Sequence, residues 1–316
     1  MRSGSNLLTG PIRTSLVPIF FAVAAMIAAA AIFARRNLRA GRGDRRGAFR
    51  LSAFVFATMF LAWFFGESHV ATLWEVVLVT MALSWALLTS GFCWLAYVAV
   101  EPFVRRRWPE VLVSWARLLG GEFRDPLVGR ELLVGCVGGI ALALIGFAGI
   151  LLPGWLGLAP ELIPADLIGV AYGLQRAVPL LVWRLGQSVI VSLATLFLLF
   201  LVRLALGSRW RAIAACVLLS SIPGALALEH FWISLLHSAA ITGVFFLLLV
   251  RVGLVASVAA FYTWGLFVLF PVTMQMSAWY AGSGVTALLV LAALALYGFS
   301  TSLGGRPALG ETALHE

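Results

Sequence analysis

The sequence predicts an all-α, polytopic transmembrane bundle of eight or nine helices, with a short amphipathic helix at one face. Three observations carry that expectation: the apolar content, its segregation into membrane-length runs, and a one-sided distribution of arginine. Of 316 residues, 62% are apolar and 11% charged, against roughly 25% charged in an average soluble domain. Too few polar side chains exist to cover a water-facing surface. The apolar residues fall in runs of about 17–27, enough to cross a hydrocarbon core of about 30 Å at 1.5 Å per residue.

Taken in order, the runs place spans near 14–34, 49–65, 74–100, 132–152, 188–206, 212–228, 232–250, 252–270 and 284–302 of a single integral membrane domain. Pro223 and Gly224 interrupt the sixth run and predict a kink, since a proline removes one backbone donor from the helix ladder. Only Arg251 separates the seventh run from the eighth, so the count is eight or nine. The first run follows Arg2 and Arg13, as a signal peptide would. Its length of about 20 exceeds the 7–15 residues of an h-region, and the arginines behind it resist translocation, which favours a retained helix.

Charge sets the expected orientation. Residues 35–50, RRNLRAGRGDRRGAFR, hold seven arginines and one aspartate, and residues 101–131 hold six more arginines. Basic loops stay in the cytoplasm, so both belong inside. Nine alternating helices then put 18 of the 22 basic residues inside, all of them arginine, and leave Arg2, Arg13, Arg176 and Arg184 outside. The expected placement is a bacterial inner membrane, with the N-terminus outside and the tail 303–316 cytoplasmic. The net charge of +9 is thus explained by topology, and no nucleic-acid partner is expected.

Two segments lie between the runs. In the cytoplasmic basic loop 101–131, WPEVLVSWARLLGG (108–121) places Trp108, Val111, Leu112, Trp115, Leu118 and Leu119 at helical spacing on one face. Pro109 suits the first turn, and Gly120-Gly121 suits the stop. The expectation is a helix on the inner leaflet, with Trp108 and Trp115 in the acyl boundary and Arg105, Arg106, Arg107 and Arg117 at anionic headgroups. A cytoplasmic helix packed on the bundle is the alternative. The second segment, 153–187, is broken by Pro153, Pro160, Pro164 and Pro179 and reads as an outer loop. Trp155, Tyr172 and Trp183 suit interface anchors there, and Arg176 and Arg184 suit water-facing positions on an interfacial helix. A re-entrant segment is the other reading.

Catalytic motifs are sparse. No HExxH, CxxC pair, GxSxG or kinase signature occurs, so the chain is not expected to be an enzyme, and no cofactor or metal is expected. Cys93, Cys136 and Cys216 read as small packing residues. Glu229, His230 and His237 form the most suggestive polar cluster, a candidate ligand or proton-relay group at the outer boundary. Gly135 and Gly139 form a GxxxG, a face on which another helix can approach closely.

Two inner segments carry a family resemblance. FARRNLRAGRGDRRGAFRLSAFVFA and YVAVEPFVRRRWPEVLVSWARLLGGEFRDPLVGRELLVG resemble the C-terminal membrane region of large bacterial serine/threonine protein kinases of the Acidobacteria type. The likeness is best over about 30–140. The kinase domain has no counterpart here, so no catalytic residue is carried over. The resemblance implies a non-catalytic module that senses or anchors at the inner membrane, with the lipid bilayer and a serine/threonine kinase or other signalling protein as partners. Two alternatives are a small-solute transporter or channel using the backbone opened at Pro223, and an intramembrane hydrolase built on Glu229, His230 and His237.

Overall fold

The computed structural model describes residues 12–158, 174–226, 230–278 and 280–304. They form ten helices: α1 (Ile12–Arg39), α2 (Arg45–Gly66), α3 (Leu73–Arg107), α4 (Pro109–Gly120), α5 (Pro126–Trp155), α6 (Leu174–Leu206), α7 (Arg209–Leu226), α8 (Phe231–Arg251), α9 (Leu254–Leu269) and α10 (Ala281–Ser302). Seven are long and apolar enough to cross a membrane: α1 to α3, α5, α6, α8 and α10. In the most apolar windows of these helices only 11–39% of residues are buried in the protein. Water would not tolerate that much exposed apolar surface, so the fold is a multi-pass membrane bundle.

The remaining helices have particular reasons to differ. α7 has 18 residues and opens on Arg209 and Arg211, which shorten its apolar part. α9 has 16 residues and rises about 24 Å, yet it contacts α4, α5, α6, α8 and α10. A helix enclosed by protein need not match the lipid thickness. α1, α2, α3 and α6 form one side of the bundle, α5, α8, α9 and α10 the other, with α6 packed on α9 between them.

Helix boundaries depart from expectation in two places. α3 continues through Pro102 to Arg107, so the three arginines expected in a loop lie on its last turn. Pro102 has no N–H for the carbonyl of Val98 four residues back. The Asn37 side chain of α1 fills that vacancy, its Nδ2 donating to Val98 O and Ala99 O at 3.0 Å each. A buried carbonyl left bare costs about 1–3 kcal/mol, so this bridge fixes α1 on α3. α6 begins at Leu174, well before the expected 188, and runs on through Pro179. The outer segment is therefore partly helical, and Tyr172, Pro160 and Pro164 lie outside the described residues.

The turn between α8 and α9 is tighter than any sequence signal announced. It consists of Val252 and Gly253, and Gly253 adopts φ +146°. A Cβ there would stand 2.6 Å from the Glu131 carboxylate, so the position needs glycine. Pro223 and Gly224 lie in α7, which is helical through them to Leu226, where the described segment stops. The tail from residue 305 lies outside the described residues.

Candidate functional site

The arginine-bearing ends of the helices are tied into one face. Asp44 caps α2 by accepting from Gly47 N at 2.8 Å, and Arg50 Nη1 donates to Leu119 O at the end of α4 at 2.6 Å. Arg209 Nη2 donates to Val250 O at 3.0 Å, joining the start of α7 to the end of α8. Tyr297 of α10 donates to Phe123 O at 2.5 Å. Two ion pairs, Arg105 with Glu101 and Arg117 with Asp125, both at 2.5 Å, neutralise part of the charge.

α4 is the lid of this face, and its tryptophans correct the expectation of an acyl-boundary anchor. Trp108 and Trp115 are each 3% exposed, and Val111, Leu112 and Ser114 are buried with them. The amphipathic face is covered by α2, α3, α5, α8 and α9 instead of lipid. Arg105, Arg106, Arg107 and Arg117 remain on the exposed side, where an aqueous or headgroup layer reaches them. Arg203 Cζ lies 4.4 Å from the Trp108 ring centre and Arg209 Cζ 5.9 Å from it. Arg203 is thus stacked on protein.

A second feature was missed in the sequence. Arg184, expected to face water, is 6% exposed inside the bundle. Its guanidinium stacks on Phe261 at 4.4 Å and Trp264 at 5.4 Å and donates to Gln187 Oε1 at 2.6 Å. No carboxylate pairs with it among the described residues. Room for it comes from Gly265 of α9, where a Cβ would overlap the Arg184 Nε. The signal available in the sequence was Arg184 and Gln187 one helical turn apart beside Trp183, but the prolines around them read as loop.

The expected polar cluster falls partly outside the described residues. Glu229 lies outside them, His230 is the N-cap of α8, and His237 is half-buried two turns later against Gly149 of α5. No three His, Cys, Asp or Glu side chains gather to hold a metal among the described residues. The GxxxG does have a partner within the chain. A Cβ on Gly135 would meet Ala256 O and Ala259 Cβ at 2.5 Å, and one on Gly139 would meet Ala260 O and Thr263 Cβ at 2.5 Å. Both glycines therefore seat α9. Gly224 stands against Ser238 of α8.

At the opposite end, the turn between α2 and α3 is clasped by His69. Its Nδ1 lies 2.5 Å from Glu75 Oε1 and its Nε2 2.7 Å from Phe64 O. Two acceptors facing two ring nitrogens select the imidazolium, the form that donates from both. The Phe64 carbonyl and then Glu75, helped by Glu67, raise the His69 pKa above its ordinary value near 6.5. A raised folded value means that the clasp contributes fully below the unfolded pKa and is lost as pH rises through the folded one. Hydrogen-exchange protection of residues 67–72, taken relative to the intrinsic rate at each pH, should accordingly fall as pH rises through the raised His69 pKa, and His69→Gln should abolish that fall. Equal pH profiles in the two proteins would refute the clasp.

Fold, exposed apolar belt and clustered helix-end arginines together define a multi-pass helical membrane protein. Comparison with protein-family models, with curated proteins and with solved structures finds no match.

Proposed function

We propose that the chain is a non-catalytic multi-pass module of a bacterial inner membrane, with its arginine-rich end in the cytoplasm. It serves as the sensing or anchoring part of a serine/threonine kinase-type signalling system. The observation that carries this reading is that the two segments resembling kinase-linked membrane regions are one physical unit. Asn37 of FARRN fills the hydrogen-bond vacancy that Pro102 leaves in YVAVEP, and Arg50 of GAFR reaches Leu119 of RLLGG. Words shared at that level of packing support a shared role for the face they build. The face is cationic and exposed, which suits anionic headgroups and an acidic protein partner. Purification of the tagged chain from its native membranes tests the association. A serine/threonine kinase or other signalling protein should be recovered in stoichiometric amount, and recovery of the chain alone would overturn the claim.

Arg184 favours one second reading, a carrier of a small anionic solute, because an unpaired cation inside a bilayer protein marks a functional position by default. Flux in reconstituted vesicles that vanishes with Arg184→Met would place this reading first.

A further inference from the structure

We propose that Arg107, Arg203 and Arg209 form a binding site for a phosphate group, floored by Trp108. The three guanidinium groups come from separate chain segments: the end of α3, the end of α6 and the start of α7. Arg203 and Arg209 share the Trp108 ring, at 4.4 Å and 5.9 Å. Arg107 lies 5.1 Å over Phe103, whose ring meets Trp108 edge-on at 5.9 Å. Trp108 is 3% exposed and locked in the core, so the floor is rigid.

These cations are close enough to repel, since Arg107 and Arg209 both act on the charge of Arg203. Elsewhere on the same face carboxylates answer arginines, as Glu101 does for Arg105 and Asp125 for Arg117. None answers these three among the described residues. Arg203 Nε and Nη1 and Arg209 Nε are shielded from solvent without an acceptor. An unmet donor in such a place is costly, and a charged one more so. Arg209 is also oriented, because its Nη2 is held by Val250 O at 3.0 Å. The first turn of α7 adds the partial positive charge of a helix N-terminus.

A tetrahedral oxyanion satisfies this arrangement better than a carboxylate does. A phosphomonoester or inorganic phosphate presents at least three acceptor oxygens to the three planar forks, and a phosphodiester headgroup two set tetrahedrally, whereas a carboxylate presents two in one plane. The phosphate can be a phospholipid headgroup or a free phosphoryl species. The inference rests on the membrane reading but not on the kinase association, whose co-purification test is separate.

The experiment uses the full chain in dodecyl maltoside micelles, which carry no phosphate, titrated with phosphatidylglycerol or with inorganic phosphate and followed by thermal unfolding. At least one probe should raise the melting temperature. Arg203→Gln/Arg209→Gln should weaken that response at least tenfold, while Arg46→Gln, an exposed arginine at the start of α2, should retain it. Without anion, the double variant should melt close to wild type, because the repulsion removed offsets the lost Arg209–Val250 hydrogen bond and the Trp108 stacking. Stabilisation by phosphatidylglycerol alone identifies a headgroup site, and stabilisation by inorganic phosphate identifies a free phosphoryl ligand. The proposal is overturned if neither probe acts, or if Arg46→Gln loses as much as the double variant. A double variant that melts well below wild type without anion would also overturn it, by showing the arginines to be structural.

Discussion

Gly139→Val is expected to unseat α9 from α5, lowering the unfolding temperature in detergent more than any substitution on the lipid-facing surface. The ideal Cβ would meet Ala260 O and Thr263 Cβ at 2.5 Å, and at Gly135 it would meet Ala256 O at 2.5 Å. Backbone cannot swing aside as a side-chain tip does, so the helices must separate. Overpacking of a tight contact costs about 1–3 kcal/mol and occasionally more. In a bilayer the loss falls directly on association, because lipid offers apolar surfaces little reason to stay together except close packing. Gly135→Val/Gly139→Val should therefore abolish the folded peak in size-exclusion chromatography. Gly243 of α8 is the control, with nothing within 4 Å of its ideal Cβ. Gly243→Ala should be neutral or stabilising by about 1 kcal/mol, the helix-propensity gain. Equal destabilisation at all three glycines would refute the α5–α9 seam.

Gly265→Ala is expected to be destabilising as well, and for a reason that a second substitution can remove. The added methyl would overlap the Arg184 guanidinium, which cannot retreat without leaving Phe261 and Trp264. Arg184→Met alone should change stability little. The cost of a charge at membrane depth, about 2.5–3.5 kcal/mol on insertion scales, nearly offsets desolvated cation–π contacts of about 2 kcal/mol. The double variant Arg184→Met/Gly265→Ala should accordingly be more stable than Gly265→Ala, a coupling of about 0.5–3 kcal/mol. Additive effects in a denaturation cycle would show that the two residues do not share the space.

The comparison of sequence with structure divides along one physical line. Periodicity and length announce that an apolar face exists, but not what covers it. The face of α4 reads identically whether lipid or α5 lies against it, which is why Trp108 and Trp115 were expected at the acyl boundary and are instead buried. The spacing of Gly135 and Gly139 was legible as a close-approach surface, while its partner α9 was not, since glycine spacing carries no address. Arg184 was hidden for another reason. Prolines and arginines near 176–187 outweighed the apolar residues between them, and only the tertiary aromatic stack makes a buried cation tolerable there. Asn37 and Pro102 were both in view, 65 positions apart, but a donor vacancy and its filler are recognisable as a pair only once the helices are side by side.

The shortness of α9 has a consequence for the backbone beyond it. Sixteen residues rise about 24 Å, roughly 6 Å less than a hydrocarbon core. Its first turn is pinned by Gly253 against Glu131, so the shortfall falls at the Phe270 end. Beyond it the chain from Pro271 to Ser277 is irregular, with Met274 and Met276 exposed. Irregular backbone at that depth requires protein cover or water. Gly284 supplies cover at Pro271. Arg184 lies against Gly265, four residues before the helix ends, so the buried cation stands close to the place where the helical backbone gives out.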